Sequence, residues 1–201
     1  NEQWNYTLGG TWKRFFDNSN LFVVMSRSHL NNTAVKHEDY ADLSSPKIID
    51  YESQEIENKS RIEYNFRENK IKFNVGLNLE DATYLNSTQR ILTSGDSIYT
   101  KLVETDLHFI KYGAFAQLSK TYLVDRLVTS IGFRIDGNSF TDNTTTPNFS
   151  PRLSLSYNLS GMSSLNANLG RYYQLPSYTI LGFGLNNNFF NQDAEYIRCD
   201  H

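Results

Sequence analysis

Cysteine is almost missing from this chain. Cys199 is the only one among 201 residues, so no intrachain disulfide and no thiolate metal cluster can be built. That scarcity fits a reducing compartment and an outer membrane equally. Positive charge is not in excess: 19 Lys and Arg stand against 22 Asp and Glu, a net charge of -3. Without a basic stripe, nucleic acid is not expected as a partner. No apolar run approaches the ~20 residues of a membrane helix. The sequence opens at Asn1 with no charged n-region or apolar h-region, so no signal peptide is expected within it, which leaves export open. There is no nucleophile elbow and no Gly-rich phosphate loop, and no enzyme is expected. His29, His37, His108 and His201 are scattered. His37-Glu38-Asp39 is metal-capable, but no second cluster completes a shell. No metal and no cofactor are expected.

Proline is scarce as well, at four, and the rest is aromatic, polar and alternating. Thirteen Tyr and thirteen Phe bring the aromatic content to 14%, while mean hydropathy is only -0.52. The apolar residues nonetheless recur in period two. In 149–176, Leu153, Leu155, Tyr157 and Leu159 share one parity, and Arg152, Ser154, Ser156 and Asn158 the other. After a turn at 160–163, Leu165, Ala167 and Leu169 alternate with Asn166 and Asn168. Such alternation makes a strand with one apolar and one wet face. At 100° per residue the leucines would scatter around a helix.

The same reading covers most of the chain. A first strand spans 2–16, with Trp4, Tyr6, Leu8 and Trp12 on one face. A second covers about 21–34, where LFVVM leaves the facing ambiguous. Residues 35–49 read as a long loop, followed by a strand over 50–66. A fourth strand starts at Ile71, with Phe73, Val75, Leu77 and Leu79 opposite Lys72, Asn74, Asn78 and Glu80. Residues 84–104 lose the pattern and read as a second long loop. A fifth strand covers 106–121, where Phe115 breaks the polarity and blurs the facing. A sixth starts at Leu127, with Ile131, Phe133 and Ile135 on one face. Residues 137–148 and 176–195 are further loops, and a last strand starts near Tyr196.

The expected fold is all-β: an antiparallel up-and-down meander of about eight long strands. Short turns lie near 18, 69, 124 and 160, and long connections alternate with them. In a meander this puts every short turn at one end of the sheet and every long loop at the other, as in outer-membrane barrels. Composition alone favours a soluble sandwich. Strand length favours the membrane, because several strands exceed the ~5–6 residues usual in soluble sheets. A complete eight-stranded barrel for adhesion or structure and a soluble carbohydrate-binding sandwich stay open as alternatives.

The segments FSPRLSLSYNL, SLNANLGRYYQLPSYTILGFG, VTSIGFRIDG, WNYTLGGTWKRF, SRSHLNNT and YGAFAQLSK resemble barrel strands of TonB-dependent outer-membrane receptors, particularly those of Bacteroidetes-type bacteria. The resemblance covers essentially the whole chain. It implies a barrel of about 22 strands with a plugged lumen, powered through TonB and importing a scarce nutrient such as a siderophore, cobalamin, oligosaccharide or peptide. It implies the outer membrane as location, with outer-membrane lipid, the plug domain, the TonB complex and a surface lipoprotein as partners. No plug and too few strands for such a barrel are present, so residues 1–201 are expected to form part of the barrel.

The expected site follows from polarity. Arg171-Tyr172-Tyr173-Gln174 lies where the leucine alternation gives way to polar aromatics. It suits either an interfacial girdle or cargo contact through one Tyr and the Arg at the lumen mouth. Phe183, Phe189 and Phe190 carry the same two readings. Arg61, Glu63, Arg134, Asp136 and Arg152 are expected to form a charge ladder on the lumen wall, since a midplane Arg or Lys facing lipid costs about 2–4 kcal/mol.

Overall fold

In the computed structural model the described residues are 1–39, 44–94, 97–140, 147–160, 162–182 and 197–200. Eight long strands follow one another: β1 (Glu2–Phe15), β2 (Ser19–His37), β3 (Lys47–Glu68), β4 (Ile71–Ser94), β5 (Ser97–Tyr122), β6 (Leu127–Asn138), β7 (Asn148–Ser160) and β8 (Ser163–Gln174). A four-residue helix, α1 (Tyr178–Leu181), and a short β9 (Ile197–Asp200) complete the order. Each strand pairs antiparallel with its sequence neighbours, giving one sheet in the order β1 to β9. The meander is therefore as expected. The sandwich is overturned, because a second sheet does not exist among the described residues. The closed eight-stranded barrel is overturned too, because β1 and β8 lie at separate positions in an open order.

Tight turns close one end. Asn69 and Lys70 have φ of 46° and 66° between the paired Glu68 and Ile71, the two-residue left-handed hairpin whose twist matches that of the strands. The opposite end differs from expectation. Residues 84–104 are not a loop: β4 and β5 continue in unbroken register up to the Ser94–Ser97 pair. The stretch 35–49 is likewise strand as far as His37 and from Lys47. β5 has 26 residues, about 85 Å of strand, whereas a tilted membrane strand needs ~9–11.

Register sorts the side chains onto two faces. One carries Trp4, Tyr6, Leu8 and Trp12 of β1, then Leu21, Val23 and Met25 of β2, and Phe73, Val75, Leu77 and Leu79 of β4. This settles the facing of 21–34: Phe22 and Val24 lie on the other face. Many residues of the first face are open, Leu77 at 59% and Leu79 at 52%. An apolar surface this broad needs a non-aqueous neighbour. Its upper edge is marked by a polar belt: Arg27, Asn58 and Asp81 are register neighbours, and Arg27 donates to Asn58 at 2.9 Å while His108 meets Asp81 at 2.7 Å. In β4 the apolar run from Ile71 to Leu79 spans nine residues, a bilayer's worth. The rest of the β4–β5 hairpin projects beyond it.

Candidate functional site

The second face is polar, and its side chains pair along and across strands. On β3, Arg61 and Glu63 stand two apart and so point the same way, with Arg61 Nη2 2.6 Å from Glu63 Oε2. On β6, Arg134 and Asp136 repeat the arrangement at 2.6 Å. Asn78 of β4 stands between the two pairs: it lies opposite Arg61 in register and accepts from Arg134 Nη2 at 3.2 Å. Asn74 donates to Glu63 and to Asn65, both at 2.6 Å. Phe115 sits on this face too, with the Arg61 guanidinium 4.8 Å from its ring centre. Its place is made by Gly76, where a Cβ would come within 2.6 Å of the ring. The facing of 106–121 is thus settled: Tyr112, Ala114, Ala116 and Leu118 lie on the apolar side, and Phe115 lies under an arginine on the polar side.

Four of the five wall residues, Arg61, Glu63, Arg134 and Asp136, form this one network. Arg152 lies on the same face across β6 and β7 and stacks over the Tyr172 ring at 4.6 Å. Alternation divides the Arg171–Gln174 group. Tyr172 and Gln174 share the face of Arg152, while Arg171 and Tyr173 fall on the opposite, apolar face beside Leu169. Arg152, not singled out with this group in the sequence, brings its guanidinium over the Tyr172 ring. Phe183, Phe189 and Phe190 lie outside the described residues.

A further cluster lies above the wall. Glu57, Lys59, Glu80 and Lys111 of β3, β4 and β5 converge on the polar face. Lys59 Nζ is 2.6 Å from Glu57 Oε2, and Lys111 pairs with Glu80. Into this cup reaches Tyr178 of α1, from 121 residues beyond Glu57. Its hydroxyl donates to Glu57 and accepts from Lys111 Nζ at 2.7 Å. Burial, together with the adjoining Glu57 carboxylate, pushes the Tyr178 hydroxyl well above the ordinary tyrosine range. Beside the cup the polar face turns apolar: Ala82, Tyr84, Leu107 and Phe109 are buried beneath Leu181, which is 0% exposed. Sequence reasoning missed this cluster. Part of it was visible, since Glu55, Glu57, Lys59, Arg61 and Glu63 share one parity. Nothing local points to Tyr178.

The family described as TonB dependent receptor-like, beta-barrel matches residues 1–196. Among solved structures, a copper transporter, OprC, has a similar fold with a TM-score of 0.66 and 14% sequence identity. The alignment covers 88% of this chain and 32% of that one. The sequence matches none of the curated proteins.

Proposed function

This chain belongs to the TonB-dependent receptor β-barrel family, and on that premise we propose that it forms part of the wall of an outer-membrane importer for a scarce nutrient. The family is one of receptors and transporters rather than enzymes. The observation that carries the proposal is the opposite polarity of the two faces. Arg61, Glu63, Arg134, Asp136 and Arg152 all lie on one, and the apolar band fills the other. Charges paired in a water-filled lumen and leucines against lipid are the arrangement a transport barrel requires.

Within that reading the lower network faces the plug domain, and energy comes through the TonB complex. Tyr172, stacked with Arg152, and Gln174 line the lumen mouth and contact cargo. An aromatic plane and a guanidinium suit a siderophore, cobalamin, an oligosaccharide or a peptide. Arg171 and Tyr173 anchor at the outer lipid headgroups. Phe183, Phe189 and Phe190 are proposed as contacts to cargo or to a surface lipoprotein.

The test is fractionation and uptake with the full-length protein in its host. We expect it in the outer membrane, released only by detergent. We expect deletion of its gene to slow growth on limiting nutrient, and Tyr172→Ala to weaken uptake about tenfold, the loss of one stacked, charge-assisted contact. Recovery of the protein in the soluble fraction without detergent contradicts the proposal.

A further inference from the structure

The segment from Leu175 to Gly182 leaves β8 and lies against the polar face of β3, β4 and β5, where Tyr178 and Leu181 reach deepest. Tyr178 enters the charged cup with its ring 5.8 Å from that of Phe109, and Leu181 fills the apolar pocket beside it. One further bond closes the contact, from Thr105 Oγ1 to the Gly182 carbonyl at 3.1 Å. Leu175 packs partly buried against the same apolar cluster. The helix itself is one turn, with Thr179 exposed and Ile180 53% exposed.

The ion pairs of the cup are made between wall residues, Glu57 with Lys59 and Glu80 with Lys111, so each charge has a partner besides Tyr178. Withdrawal strands no buried charge, so both arrangements are electrostatically satisfied, which is what a two-state element needs. Lifting the segment also uncovers Tyr84, Leu107 and Phe109 next to two carboxylates and two ammonium groups. That surface fits a ligand carrying what Tyr178 and Leu181 now supply: a flat apolar body and a hydroxyl donor.

We propose that Leu175–Gly182 is a latch that occupies a preformed inner-wall site in the absence of cargo, is pinned there by Tyr178, and lifts for import. This rests on the importer reading above. Tyr178 is a positioning residue of the closed state rather than a cargo contact. Losing its hydroxyl lowers the ratio of latched to lifted forms about tenfold, the worth of a hydrogen bond to a charged partner.

A disulfide tests it. A Cβ on Gly182 would lie 3.5 Å from Thr105 Cβ, within the range a disulfide spans. Thr105→Cys and Gly182→Cys are introduced together in the full-length receptor, with Cys199→Ser to remove the competing thiol. We expect mild oxidant to join the pair. Growth on limiting nutrient should fall to that of the receptor-deleted strain, and reductant should restore it. With the pair held reduced, adding Tyr178→Phe should speed maleimide labelling of the Gly182→Cys thiol, which needs the lifted form, about tenfold. Failure of the pair to cross-link overturns the closed state, and an unchanged labelling rate with Tyr178→Phe overturns the pin. Full cross-linking with unimpaired growth overturns the need to lift. If the unaltered receptor supports no more growth than its deletion, the importer reading fails, and cross-linking and thiol labelling still decide the closed state and its pin.

Discussion

At the scale of single residues, facing decides what a side chain costs. Leu77 sits in the middle of the apolar band of β4, and Gln117 lies on the opposite face of β5. Leu77→Arg should destabilise the folded receptor by about 2–4 kcal/mol, because it places a cation against hydrocarbon. Gln117→Arg meets water and should cost less than about 1 kcal/mol. Denaturant unfolding from phospholipid vesicles measures both, and equal costs would contradict the assignment of faces. Tyr178 supplies a second prediction. A free tyrosine titrates near pH 10, and burial beside Glu57 raises Tyr178 above that. Docking of the latch is therefore fully favoured below about pH 10 and weakens as pH rises beyond it, since the released form ionises first. Near pH 10 the receptor and its Tyr178→Phe variant should show the same phenolate absorbance. One additional tyrosine ionising normally in the unaltered protein would contradict the docked geometry.

At the scale of elements, the β4–β5 hairpin divides, on the proposed reading, into a stave within the bilayer and a free ribbon above it. Asp81 marks the change on β4. Replacing everything beyond the Asn86–Thr105 pair by a two-residue turn removes no band residue and keeps the Thr105 contact to Gly182. The shortened receptor should insert and keep its heat-modifiable migration in electrophoresis. Failure to insert would show that the projecting ribbon supports the barrel. This division also explains what the sequence revealed. Phe73 to Leu79 were legible because one apolar and one polar face impose strict alternation. From about Tyr84 that pattern ends, since the face that was polar now buries Tyr84, Leu107 and Phe109 under Leu181. The strand continues after its signature has stopped, and so 84–104 reads as loop. Phe115 misleads for a related reason: it is apolar yet faces inward, because Gly76 leaves room for it and Arg61 covers it. The charge ladder was legible as parity. The Tyr178 cup was not, because it joins positions 121 residues apart.

At the scale of the whole molecule, one sheet carries two faces of opposite polarity. On the proposed reading the apolar face meets lipid, and the polar face carries the wall, the Arg152–Tyr172 stack and the latch. Every functional inference depends on that separation. It is tested most directly by spin labels placed one at a time from Phe73 to Asp81 of the full-length receptor in native outer membranes, omitting Gly76, where Phe115 leaves no room, with Cys199→Ser as background. Collision with dissolved oxygen, which concentrates in lipid, and with a water-soluble nickel chelate is measured at each position. Positions 73, 75, 77 and 79 should favour oxygen, positions 74, 78 and 80 should favour the chelate, and Asp81 should switch to the chelate. Accessibility that fails to alternate, or that alternates in the opposite phase, would contradict the account.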